Sequence, residues 1–233
     1  MCIIAIETAT TIGSVAILRD EKIIYQELAD LKTTHSETIM VRIDNALTSL
    51  KIDKSEIKAL SISNGPGSFT GLRIGLATAK GICTGLKVPL IVFNTLEVLA
   101  ANVYGTNKQI LSILDARMNE VYMSVFDSCL NIVVKSHCRA YSDFLEDLKG
   151  EYVCVGDTQL LELLKNTAVY QSPDEVKNNE TRFYKALPHQ NILSAASQFS
   201  LMKLKNTTFD YNEEFIHKLE PFYVRNADSQ VRM

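Results

Sequence analysis

The run Asn64-Gly65-Pro66-Gly67-Ser68-Phe69-Thr70-Gly71-Leu72-Arg73 is a glycine-rich turn that leaves an apolar strand and opens a helix. A turn of this kind aims free backbone N–H groups and a helix N-terminus at one point, a geometry suited to an anion. Its spacing matches neither common phosphate motif. No Gly-Lys-Ser/Thr follows at Walker distance, and Gly65, Gly67 and Gly71 make GxGxxxG where the dinucleotide fingerprint is GxGxxG. A tight strand-to-helix turn, with glycine at positive φ and Ser68 as cap, accounts for the same residues without a ligand.

Other reactive side chains are scattered. The four histidines, His35, His137, His189 and His217, never lie three or four apart, so no helical pair can ligate zinc. The five cysteines, Cys2, Cys83, Cys129, Cys138 and Cys154, form no CxxC element and fit reduced thiols. Asp115-Ala116-Arg117 followed by Glu120-Val121-Tyr122 could be an acid–base cluster, but a turn closed by an ordinary ion pair is the simpler reading. No residue is assigned to catalysis or to a metal, and no cofactor is implied.

The elements around the loop follow from patterning. CIIAIE (2–7), SVAILR (14–19) and IIYQEL (23–28) read as a strand meander. Thr34 and Glu37 have capping-box spacing ahead of a helix with Ile39, Ile43, Ala46, Leu47 and Leu50 on one face. Strand 58–63, the glycine loop, a helix to about Leu86, strand 89–93 and a helix after Asn94 complete a first half over 1–106. A second half over 107–233 echoes it. QILSILD, EVYMSVFD and NIVVKSHCRA read as strands, SDFLEDLK as helix, EYVCVG as strand and TQLLELLK as helix. A polar loop over 171–185, a helix near 189–204 and an irregular tail follow. Two β-β-β-α-β-α halves in one α/β chain are the layout of the duplicated ribonuclease-H-like fold, also called the actin-like ATPase or ASKHA fold.

The helix after the loop carries Gly71, Gly75, Gly81 and Gly85 with Ala77, Thr78 and Ala79. Each helical glycine costs about 1 kcal/mol relative to alanine, so close backbone packing is required in return. Arg73, Lys80 and Lys87 share one seven-residue seam, leaving an apolar or small circumference wider than one sheet face covers. Either the helix of 35–50 completes the burial, or both helices present a face to another chain.

The 233 residues carry 24 basic and 27 acidic side chains, a net charge of −3, which offers no footprint for an autonomous nucleic-acid binder. Hydrophobic residues make up 46%, enough for a sizeable core, and MCIIAIET has neither a basic start nor an apolar run long enough for a signal peptide or membrane span. A cytoplasmic protein is expected.

IETATT, GPGSFTGLRIG, DARMNEVY and the tail Glu220-Pro221-Phe222-Tyr223-Val224-Arg225-Asn226 together resemble the bacterial TsaB (YeaZ) family, over residues 1–126 and again in the tail. The resemblance implies a place in the machinery that makes N6-threonylcarbamoyladenosine (t6A) in tRNAs reading codons that begin with A. It implies a non-catalytic subunit that binds, and stabilises or activates, the TsaD-type transferase through its N-terminal helices. A TsaE-type ATPase would join the assembled pair, the chain alone could form a homodimer, and tRNA would be engaged indirectly. TsaD-type proteins carry two histidines in the helix after the strand that follows the loop; Thr95 and Leu99 stand there in this chain. Glu7 stands where the family often has Asp.

The implied partner interface comprises His35, Ile39, Arg42, Gly71, Leu72, Gly75, Thr78, Ala79 and Ile82, beside the loop residues Gly65, Pro66, Gly67, Ser68, Thr70 and Arg73. Tyr223 and Arg225 are the implied tail contacts. Leucine at Gly71 or Gly75 is expected to block docking and leave a folded chain. The alternative is an active ATP- or metal-dependent transferase or peptidase of the same superfamily.

Overall fold

The structure is a computed structural model that describes residues 1–30, 35–146, 148–157, 159–161, 181–186, 194–205 and 210–224. It divides into two units: Met1–Val98 with Leu193–Phe222, and Leu99–Ile192 with Tyr223–Met233.

In the first unit, β1 (Cys2–Glu7), β2 (Ile12–Arg19) and β3 (Lys22–Asp30) form an antiparallel meander. After α1 (His35–Ser49), β4 (Ile57–Ser63) joins β1 in parallel; α2 (Phe69–Leu86) then leads to β5 (Leu90–Phe93), which joins β4 in parallel, and α3 (Thr95–Ala101) follows. The sheet order is β3-β2-β1-β4-β5. Strand alternation sends Ile4, Ile6, Val15, Ile17 and Ile62 to one face, where they bury Ile39, Ile43, Ala46 and Leu47 of α1 and Leu76, Ala79 and Cys83 of α2. Each buried Val, Leu or Ile among them stabilises the unit by roughly 1.5–3 kcal/mol.

The opposite face carries Glu7, Ser14, Ser61 and Ser63, all buried. It is met by α4 (Ala195–Leu204), whose Ala195 N donates to Ser14 Oγ at 2.7 Å and whose Gln198 Nε2 donates to Ile6 O at 2.8 Å. A short helix, α5 (Glu213–Lys218), capped by Asn212, packs against α2.

The second unit repeats the plan. β6 (Gln109–Arg117), β7 (Glu120–Phe126) and β8 (Ile132–Ala140) are antiparallel, and β9 (Glu151–Gly156) and β10 (Arg182–Lys185) extend the sheet in parallel. The order β10-β9-β6-β7-β8, taken from β8, is the order of the first sheet. This duplication establishes the ribonuclease-H-like α/β fold. Leu111, Ile113, Val121, Met123 and Val125 pack with Phe144, Leu148, Leu160 and Leu161.

Several expected boundaries move. The division falls at 98/99, not 106/107, and Leu193–Phe222 returns to the first unit because α4 seals its polar sheet face. Of residues 142–149, expected as a helix, 142–146 form turns instead, with bonds such as Phe144 N to Ala140 O and Glu146 N to Asp143 O. The expected loop 171–185 contains β10, whose Phe183 stacks on Tyr152 at 5.7 Å. The tail holds α5 where irregular chain is expected. Most of the TQLLELLK helix and the start of the helix expected near 189 lie outside the described residues. Among the described residues no helix is long and apolar enough to cross a membrane.

Candidate functional site

The end of β1 organises the glycine loop. Glu7 is fully buried; its Oε1 accepts Thr8 N at 2.9 Å and Ala9 N at 2.8 Å, and its Oε2 accepts Ser63 Oγ and, at 3.3 Å, Gln198 Nε2. Burial pushes this carboxyl up to about 7, against the opposing pull of Ser63, Ala9, Gln198 and Thr8. The turn that Glu7 fixes then grips the loop, because Ala9 O accepts Ser68 N at 2.7 Å.

Ser68 caps α2 through a bond from Gly71 N at 3.2 Å, as its type and position require. Ser68→Ala is expected to lower stability by about 1 kcal/mol, measured as a shifted thermal midpoint. On the other side of the loop, Gly65 N donates to Thr95 Oγ1 at 3.1 Å and Thr95 N to Gly65 O at 2.8 Å. Thr95 therefore clamps the loop.

The glycines of α2 fall into two sets. A Cβ at Gly71 would overlap Thr8 O; one at Gly75 would overlap Thr8 Oγ1 and meet Ile62 Cδ1 at 3.0 Å. These inner glycines let α2 lie against the end of β1. Gly81 and Gly85 face outward, and among the described residues a Cβ there meets nothing within 4 Å. With Ala77 they follow an i, i+4, i+8 stripe, exposed along with Thr70 and Arg73. Arg73 lies over the Phe69 ring at 3.8 Å. Beside α2, α1 exposes Met40 at 48% and Val41 at 56%.

This geometry corrects much of the expected interface. Ile39, Gly71, Leu72, Gly75 and Ala79 are buried in the chain's own core, and cannot offer a surface unless the unit opens. Arg42 pairs with Glu27 of β3. Thr78 and Ile82 are half-buried at the margin of the open arc. In the loop, Gly65 and Pro66 are buried, Gly67 is half-buried, and Ser68, Thr70 and Arg73 are exposed. Tyr223 is half-buried; the His35 side chain and Arg225 lie outside the described residues. The spacing of 77, 81 and 85 was the available signal for the outer stripe, whereas the four-donor enclosure of Glu7 draws on distant segments and leaves no local pattern.

In the second unit, Asp115 closes the β6–β7 corner. Its Oδ1 accepts Arg117 N at 2.7 Å and Tyr141 OH at 2.9 Å, and its Oδ2 pairs with Arg117 at 3.0 Å. Burial, and then the bond to Asp115, raises Tyr141 to about 12. Arg117, Met118 and Asn119 all have left-handed φ, between 54° and 63°. The ion-paired turn is the arrangement present. Among the described residues no group of three His, Cys, Asp or Glu side chains is placed to hold a metal ion.

Residues 28–226 match the family model described as TsaD, tRNA N6-adenosine threonylcarbamoyltransferase. The chain is 27% identical over 235 residues to the tRNA threonylcarbamoyladenosine biosynthesis protein TsaB of Bacillus subtilis, covering 100% of this chain and 97% of that one. It is 33% identical over 168 residues to the protein of the same name from Escherichia coli, covering 67% of this chain and 71% of that one. Among solved structures it resembles an uncharacterized protein with similarity to peptidase YEAZ from Pseudomonas aeruginosa, with a TM-score of 0.74, 18% identity and coverage of 96% and 99% of the two chains.

Proposed function

This chain belongs to the TsaB proteins of the TsaD family, and from that premise we propose that it serves tRNA threonylcarbamoyladenosine biosynthesis as a docking subunit of the TsaD-type transferase. The observation that carries this reading is the outer face of α2. Gly81 and Gly85 lower helix stability by about 1 kcal/mol each relative to alanine, and no neighbour among the described residues accounts for them. A helix from another chain can approach such a stripe closely, and Met40 and Val41 on α1 add apolar area to the same contact. A standard interface of roughly 1,600 Å² would cover them.

In this reading the transferase performs the chemistry and engages tRNA, a TsaE-type ATPase joins the assembled pair, and two copies of the chain pair through the same stripe when the transferase is absent. The side chains at 95 and 99 support a non-catalytic role: Thr95 is bonded to the loop and Leu99 is buried.

Gly81→Leu and Gly85→Leu test it. Each is expected to leave the circular dichroism spectrum of the isolated chain intact without lowering its melting temperature, and to weaken co-purification with the transferase by at least about tenfold, the equivalent of one 1.4 kcal/mol contact. Threonylcarbamoyladenosine formation in tRNA, assayed with each component omitted in turn, should fall with it. Wild-type affinity in both variants would refute the stripe as the docking face, and modification by the isolated chain with ATP and metal would make it the catalyst.

A further inference from the structure

The loop's first glycine serves a contact that anion binding does not explain. Phe222 N donates to both Asn64 O, at 2.7 Å, and Asn64 Oδ1, at 3.0 Å. Phe222 O lies where a Cβ on Gly65 would stand, and Gly65 has φ +120, a conformation that L side chains rarely adopt. Only glycine therefore permits this approach. Upstream, Ile216 is fully buried in the core cluster beside Tyr211 and Leu219, and Lys80 Nζ of α2 donates to His217 O at 3.0 Å. The segment 211–222 crosses α2 on these anchors, with Phe215 and Phe222 left about half exposed.

We propose that the Asn64–Gly65 corner is a binding site for the chain's own segment 219–222, a latch that holds α5 across one flank of α2. The strap is the kind of element that opens separately from the core: α5 has six residues and a single fully buried side chain. Latched, it confines the open part of α2 to the stripe of residues 77, 81 and 85; released, it uncovers the flank around Lys80 and Cys83. The latch stands independently of the docking reading above.

Limited trypsin cleavage after Lys218 in the full chain reads the latch directly. Gly65→Ala is expected to raise the cleavage rate at least about tenfold while hydrogen exchange of β1 and β4 amides stays unchanged. Phe222→Pro removes the donor N–H and leaves the loop backbone alone, so it gives the same reading should Gly65→Ala fail to fold. Millimolar inorganic phosphate is expected to leave wild-type cleavage unchanged. Wild-type cleavage rates in Phe222→Pro, or phosphate that accelerates cleavage by displacing the strap, would overturn the proposal.

Discussion

Replacing Gly75 by leucine is expected to unfold or severely destabilise this protein. The first carbon of the new side chain overlaps Thr8 Oγ1 and presses on Ile62 Cδ1, both parts of a sheet end that cannot move without disturbing Glu7. Overpacking of a well-filled core costs typically 1–3 kcal/mol, and here the side chains met, Thr8 and Ile62, are both fully buried, so about 3 kcal/mol is expected. Gly81→Ala moves in the opposite direction. Its methyl group enters open space and the helix gains intrinsic propensity, about 1 kcal/mol of added stability. Urea unfolding followed by circular dichroism measures both, since the chain has no tryptophan. A cooperative Gly75→Leu protein with an unshifted midpoint would contradict the packing of α2 on β1.

The second large effect is a dependence of stability on pH that resides in Glu7. Its carboxyl titrates near 7 in the folded chain against an ordinary 4.5, because burial outweighs its four donors. The folded state thus binds the proton more tightly than the unfolded state. The stabilisation is complete below about pH 4.5, declines as pH rises and is exhausted above about 7. At 1.36 kcal/mol per pH unit the decline is on the order of 3 kcal/mol. Among the described residues no other charged side chain enters the electrostatics of the site: Ser63 of β4 and Gln198 of α4 are uncharged, Arg19 at the far end of β2 pairs with Glu56, and Lys205 beyond α4 pairs with Glu97.

Glu7→Gln removes the ionisation, and Gln198, whose Oε1 has no partner among the described residues, can turn its amide to suit. Urea midpoints taken at unit steps between about pH 4.5 and 8 should fall for the natural chain and stay level for Glu7→Gln. Parallel curves would show that Glu7 does not titrate in this window.

Much of the architecture was legible because its elements are periodic and local. β1 and α2 have the alternation and the caps that sequence patterning reads, and the repeated strand order announced the duplication. The failures have separate causes. Phe144 and Leu148 stand four apart and mimic a helix, but consecutive turns place the same two side chains in the core. β10 has four residues, too few for a period, and is held by pairing with β9. Asn212, Glu213 and Glu214 ahead of His217 and Lys218 form a readable helix signature at α5.

On α2 the sequence reveals that small residues are needed but not on which side, because glycine occurs on both arcs. Thr8, more than sixty positions away, decides that Gly71 and Gly75 are interior. The expectation that leucine at Gly71 or Gly75 would spare the fold runs against this packing.

The return of Leu193–Phe222 to the first unit has a consequence for biosynthesis. Folding during synthesis ordinarily proceeds from the N-terminus, one unit at a time. Here the strands made first lack the cover for Glu7, Ser14 and Ser63 until α4 emerges, while the sheet of β6–β10 is complete by residue 185. The portion translated earliest is thus the last to close, and a ribosome stalled before codon 193 would hold a nascent chain whose opening sheet still shows its polar face to solvent.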